Sequence, residues 1–202
     1  TKELIANLKK NNFKYIEIGH GLGLGAFKKK EFFSKYSDEM HLSKISKYKN
    51  IGVFYIPGIG SSHDIEMAKK YGVHFIKIGT NPDSVNDQIK VIDQCNDINL
   101  YPISFIMKSH LLKPKEFAKK ANILFKHGSK LVYLVDSMGC MTPNDIKKYF
   151  YETKEINSKI KLGFHGHDNL GLATINSLVA FDLNFYMIDM IAHPLQLDLE
   201  NI

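Results

Sequence analysis

The chain has only two cysteines in 202 residues, Cys95 and Cys140, far apart and with no CxxC spacing. That excludes a disulfide framework and a thiolate metal knuckle, and a reduced cytoplasmic setting is expected. Long apolar runs are also missing. None approaches the roughly 18 residues needed to cross a bilayer, and Thr1 to Lys10 form a charged amphipathic pattern, not a signal peptide. Neither a membrane span nor signal-directed export is expected. Charge of one sign is scarce as well, since 27 basic against 21 acidic residues leave a formal +6. Its clusters, Lys28-Lys29-Lys30 and the scattered Lys44, Lys47 and Lys49, come without a helix-turn-helix, zinc-finger or RNA-binding pattern. They read as a solvated lysine surface, and nucleic acid is not an expected partner.

What is present is apolar material for a core. Hydrophobic residues make up 44% and charged residues 24%, with a mean hydropathy of -0.19, which excludes wholesale disorder. Residues 1–202 read as one domain. Short runs rich in Val, Ile, Tyr and Phe begin at positions 15, 51, 73, 100, 130, 160 and 185, at intervals of 22 to 36 residues. Segments of helical period lie between them, the signature of repeated βα units around a parallel sheet. Asn81-Pro82, Lys113-Pro114 and Thr142-Pro143 mark helix starts, and Gly72 and Gly128 mark helix ends. Seven runs preceded by a helix describe a (β/α)8 TIM barrel whose first strand is missing from the sequence. The end reads as incomplete too, because Ile188-Asp189-Met190-Ile191 forms a last run and no closing helix follows Ala192-His193-Pro194-Leu195-Gln196.

In such a barrel chemistry sits at the carboxyl ends of the strands. The leading candidate is Phe164-His165-Gly166-His167-Asp168-Asn169. Residues i and i+2 of a strand share a face, so His165 and His167 can aim two imidazoles at one point, as metal ligands do. A pair of histidines bonded to neighbours is an equal reading of this spacing alone. A third ligand would be a carboxylate. Asp168 points away from the pair, whereas Asp136 ends the run Leu131 to Val135 and could either ligate or orient its loop. Ser137 and His20 are the catalytic candidates, and Ser137, His110 and Asp136 the substrate-binding ones. His110 could instead cap the next helix, and His20 could simply open the loop Gly21-Leu22-Gly23-Leu24-Gly25. That loop lacks the P-loop Lys-Ser/Thr and the GxGxxG spacing and reads as a lid. Lys77 could face the lumen as a Schiff-base amine or point outward.

Five segments together resemble the pyruvate-specific 4-hydroxy-2-oxovalerate aldolases, within the metal-dependent lyase-like TIM barrels that include hydroxymethylglutaryl-CoA lyase and isopropylmalate synthase. They are Ile16 to Gly21, Pro57 to Asp64, Met107 to His110, Asp136 to Ile146, and Gly163 through Asn169 into Ser177. The resemblance implies that His165 and His167 hold a catalytic divalent ion, typically Mn2+ with Mg2+ or Co2+ as alternatives, and that Ser137 lies near a bound pyruvate moiety. It implies cleavage of a 4-hydroxy-2-oxo acid to pyruvate and an aldehyde, a small 2-oxo acid as ligand, a homo-oligomer, and an acylating aldehyde dehydrogenase as partner. The family's first-strand arginine, aspartate ligand and histidine base have no counterpart in the sequence. Gly21 to Phe27 lacks the acidic residue usual after His-Gly in the catabolic members, and Cys140 stands where a smaller residue is common, so a different aldehyde half is expected. The rival expectations are an acyl-CoA-dependent Claisen-type synthase on the same barrel, or a noncatalytic barrel that binds a small molecule or partner.

Overall fold

A computed structural model describes residues 2–19, 21–28 and 36–190. Helix α1 (Lys2–Lys10) leads into β1 (Ile16–Ile18), and α2 (Asp38–Ser43) into β2 (Ile51–Tyr55). The alternation then becomes regular: α3 (Ser62–Lys70), β3 (Phe75–Thr80), α4 (Asp87–Asp97), β4 (Tyr101–Ile106), α5 (Pro114–Lys126) and β5 (Leu131–Asp136). It closes with α6 (Pro143–Ile156), β6 (Leu162–Gly166), α7 (Ala173–Asp182) and β7 (Met187–Ile188). The seven strands pair in sequence order and all in parallel, each joined to the next by a crossover that carries a helix.

Each strand is read twice, once per face, because successive side chains point to opposite sides. Val53, Tyr55, Ile76, Ile78, Ile106, Val132, Leu134, Leu162 and Phe164 face outward and join Ile65, Ile92, Phe117, Leu124 and Ile146 of the helices in one continuous core. The alternate positions Phe75, Ile103, Phe105, Leu131, Tyr133 and Val135 form a second, separate cluster inside the curl of the sheet. Glycines make room for its rings. A Cβ at Gly52 would stand 2.0 Å from the Phe75 ring, and one at Gly163 would stand 2.6 Å from that of Tyr133.

The helix ends follow local chemistry. Thr142 accepts from the Asp145 amide while Asp145 accepts from that of Thr142, a reciprocal cap that starts α6 with Pro143 in its first turn. The start at Asn81-Pro82 turns out differently. Pro82–Ser84 makes one 3-10 turn, and α4 begins at Asp87. Gln88 is fully buried and donates to Thr80 Oγ1 at 2.8 Å, which ties the first turn of α4 to the end of β3.

Among the described residues β1 and β7 are the two edges of the sheet, each paired on one side only. A cavity of about 410 Å³ lies between them, walled by α1 and by both edges. The described part of the glycine loop is packed down, in contrast to the lid expected there. The Leu24 amide donates to Phe54 O at 2.9 Å, the Gly25 amide to Asp38 Oδ2 at 2.7 Å, and Lys28 pairs with Asp64 at 2.6 Å. Gly23 has φ +80°, and a Cβ there would sit 2.5 Å from Phe54 O, so this close approach requires glycine. Among the described residues no helix is long and apolar enough to cross a membrane.

Candidate active site

The inner parity of β6 carries Gly163 and His165, and the next inner position, just past the strand, is His167. The two imidazoles lie with ring centroids 5.3 Å apart. Both line a cavity of about 300 Å³ at the carboxyl ends of the strands, together with Gly19, Phe54, Lys77, Met107, Ser137 and Asp189. One residue along β5 separates opposite fates. Val135 faces inward and Asp136 outward, so the inward position that follows falls to Ser137, which reaches the cavity and accepts from the Lys108 amide at 2.9 Å.

Asp136 is buried behind the strand, and its carboxylate accepts from the amides of Cys140 at 3.1 Å and Met141 at 2.8 Å. The structure thus brings His165, His167 and Ser137 together. His110, in the 3-10 turn Ser109–Leu111, gathers with Asp136 and Cys140 away from the cavity wall. His20, the other catalytic candidate, lies outside the described residues.

Sequence reading missed the charged network beneath the histidines. The pairing of Gly163 with Met187 and Phe164 with Ile188 brings Asp189 beside His165, and the Asp189 amide donates to Phe164 O at 3.0 Å. Asp189 Oδ2 meets His165 Nδ1 at 2.9 Å and Lys77 Nζ at 2.5 Å, and Oδ1 accepts from the Tyr133 hydroxyl at 2.8 Å. Lys77 also pairs with Glu17 at 3.0 Å and lies over the Tyr133 ring, 4.4 Å from its centroid. Lys77 therefore faces inward. Burial works against its charge, but Glu17 and Asp189 outweigh it and hold its pKa above the ordinary lysine value. That is the reverse of what a Schiff-base amine needs.

The same network sets the other charges. Burial pushes the Asp189 carboxyl up, yet the bonds from His165 and Lys77 prevail and hold it down at about 2. Burial, with His165 close by, lowers the pKa of His167, which keeps that ring neutral and able to donate a lone pair. With Asp189 accepting from Nδ1, His165 presents Nε2 to the cavity, as the carboxylate behind a metal-ligating histidine does. Lys77 is one cation against two carboxylates, so the network carries a formal charge of -1 beside two imidazole nitrogens. This donor set fits a divalent cation.

The chain matches the HMGL-like family over residues 1–190. It is 34% identical over 196 residues to a 4-hydroxy-2-oxovalerate aldolase of Carboxydothermus hydrogenoformans, covering 96% of this chain and 58% of that protein. A 4-hydroxy-2-oxovalerate aldolase of Geobacillus genomosp. 3 is 30% identical over 192 residues, 93% of this chain and 56% of its own length. The chain thus spans little more than half the length of these relatives. Among solved structures, the HMG-CoA lyase of Brucella melitensis superposes with a TM-score of 0.60 at 19% identity, over 69% of this chain and 55% of the lyase. The carboxyl transferase domain of Rhizobium etli pyruvate carboxylase superposes with a TM-score of 0.71 at 18% identity, over 86% of this chain and 33% of that one.

Proposed function

Because the chain belongs to the HMGL-like family, we propose that it forms the metal-binding wall of an aldolase that splits a 4-hydroxy-2-oxo acid into pyruvate and an aldehyde. The observation that carries this reading is the convergence of His165, His167 and Ser137 on one cavity at the carboxyl ends of the strands. The two aldolase relatives support it by name.

His165 Nε2 and one ring nitrogen of His167 would hold the cation, with manganese the expected ion by resemblance. Such an ion supplies a Lewis acid that polarises the 2-oxo group. The chain's own groups do the rest. Asp189 fixes the tautomer and angle of His165, while Lys77 holds Asp189 ionised. Ser137, with its oxygen already accepting from Lys108, directs its hydroxyl proton into the cavity as a donor for a bound carboxylate or carbonyl oxygen. Phe54, Phe105 and Met107 supply the apolar part of the pocket lining. Cleavage of the C3–C4 bond moves the hydroxyl proton to a base and returns a proton to C3 of the pyruvate half.

Full-length protein incubated with Mn2+ and a series of 4-hydroxy-2-oxo acids is expected to release pyruvate. His165→Ala and His167→Ala should each lower that release by about 10³-fold or more, a barrier of about 4 kcal/mol. No release from any substrate of the series, by protein shown to carry one divalent ion, would overturn the proposal.

A further inference from the structure

Behind β5 lies a second set of donors that the proposed reaction does not use. His110 comes from the turn after β4, Asp136 from the last residue of β5, and Cys140 from the loop before α6. One ligand atom of each lies within 4.8 Å of the others. Asp136 is 1% exposed and, with no lysine or histidine paired to it among the described residues, is held by the Cys140 and Met141 amides, one to each oxygen. One feature of this cluster lacks an internal explanation. The Nδ1 atom of His110 is buried and has no hydrogen-bond partner, a rare condition that calls for a missing partner.

We propose that His110, Asp136 and Cys140 form a second cation site, separate from His165 and His167 and suited to a thiophilic divalent ion of the zinc class. One nitrogen, one oxygen and one sulfur donor match zinc, whereas manganese and magnesium favour oxygen-rich sets. Asp136 is preset, because the Cys140 and Met141 amides fix both its oxygens and Cys140 Sγ already stands 3.8 Å from Oδ1. Zinc bond lengths of about 2.0 to 2.3 Å put tetrahedral donors about 3.5 Å apart, so binding takes a contraction of about 1 Å. Cys140 is exposed and can supply it. Exposure also gives the ion a path from solvent and leaves a fourth position for water. An ion held there would tie the turn after β4 to the loop that carries Ser137.

Cobalt(II) tests the site, since thiolate ligation gives a charge-transfer band in the near ultraviolet that nitrogen and oxygen ligands do not. The chain titrated with Co2+ should develop this band. Cys140→Ser should abolish it and weaken Zn2+ binding by at least about tenfold in calorimetry, with circular dichroism unchanged. His110→Ala should weaken Zn2+ binding likewise. His165→Ala should keep the band, which separates this site from the first. Absence of the band in the unmodified chain, its survival in Cys140→Ser, or its loss in His165→Ala would each overturn the proposal. Cys95, the other thiol, is fully buried against the helices and offers the ion no access.

Discussion

The two faces of the sheet are built from the same strands and do opposite work. The outward face of β2 to β6 is mostly aliphatic and aromatic, broken only by the buried Thr80, Ser104 and Asp136, and it welds the strands to the helices. The inward face mixes rings with Glu17, Lys77, His165 and Asp189, and its apolar cluster is small. Adjacent residues on one strand therefore belong to different economies. Phe164 is a fully buried wedge against Phe185, and its neighbour His165 lines the cavity. The outward parity carries the larger part of the core and the inward parity carries the candidate site, so substitutions on the two faces are expected to differ in kind.

The largest effect is expected on the outward face. Phe164→Ala removes a ring with no solvent exposure and should cost about 3–5 kcal/mol of unfolding free energy, read as a lower urea midpoint. On the inward face His165→Ala removes a ring at the cavity wall and should cost about 1 kcal/mol or less, while eliminating tight Mn2+ binding. If the two substitutions shifted the midpoint equally, the division of labour between the faces would be wrong.

Much of this division was legible in the sequence because it rests on period two. The strands at Ile51, Leu131 and Leu162 fall within two residues of their expected starts, and His165 and His167 share a face as their spacing requires. β5 continues one residue past its apolar run because Asp136 pairs with Gly166, which parity alone would have predicted to turn its carboxylate from the lumen. The Asp189 contact was not legible. It depends on the register between β6 and β7, set by strands 24 residues apart, and no local pattern encodes that. The docking of the glycine loop was hidden for the same reason, since its partners Phe54, Asp38 and Asp64 are remote in sequence.

Asp189 gives the next largest effect and a pH dependence with a definite sign. Its folded pKa of about 2 lies below the ordinary 3.8. The stability this group contributes is therefore present above pH 4 and lost as pH falls from about 4 to about 2. Its size is about 2 kcal/mol. Asp189→Asn should flatten the acid limb of stability over that window, followed by urea titration at each pH. It should also weaken Mn2+ binding by about 10–100-fold, because an amide supports the His165 ring less well than a carboxylate. An unchanged acid limb together with unchanged metal affinity would remove Asp189 from both roles.

The smallest effect sharpens the comparison at the point where the faces meet, in the loop from Ser137 to Thr142. Thr142 belongs to the outward side. Its hydroxyl caps α6, with Asp145 Oδ2 accepting from it at 2.7 Å and from its amide at 3.0 Å. Thr142→Ala should cost about 1 kcal/mol by leaving the first turn of α6 without its side-chain acceptor. Ser137 is five residues away but is held from the other side, by the Lys108 amide after β4. Mn2+ affinity and the Michaelis constant for the 2-oxo acid should therefore stay within about twofold. A large rise in that constant with only a small loss of stability would show that the α6 cap, not the β4 turn, positions Ser137.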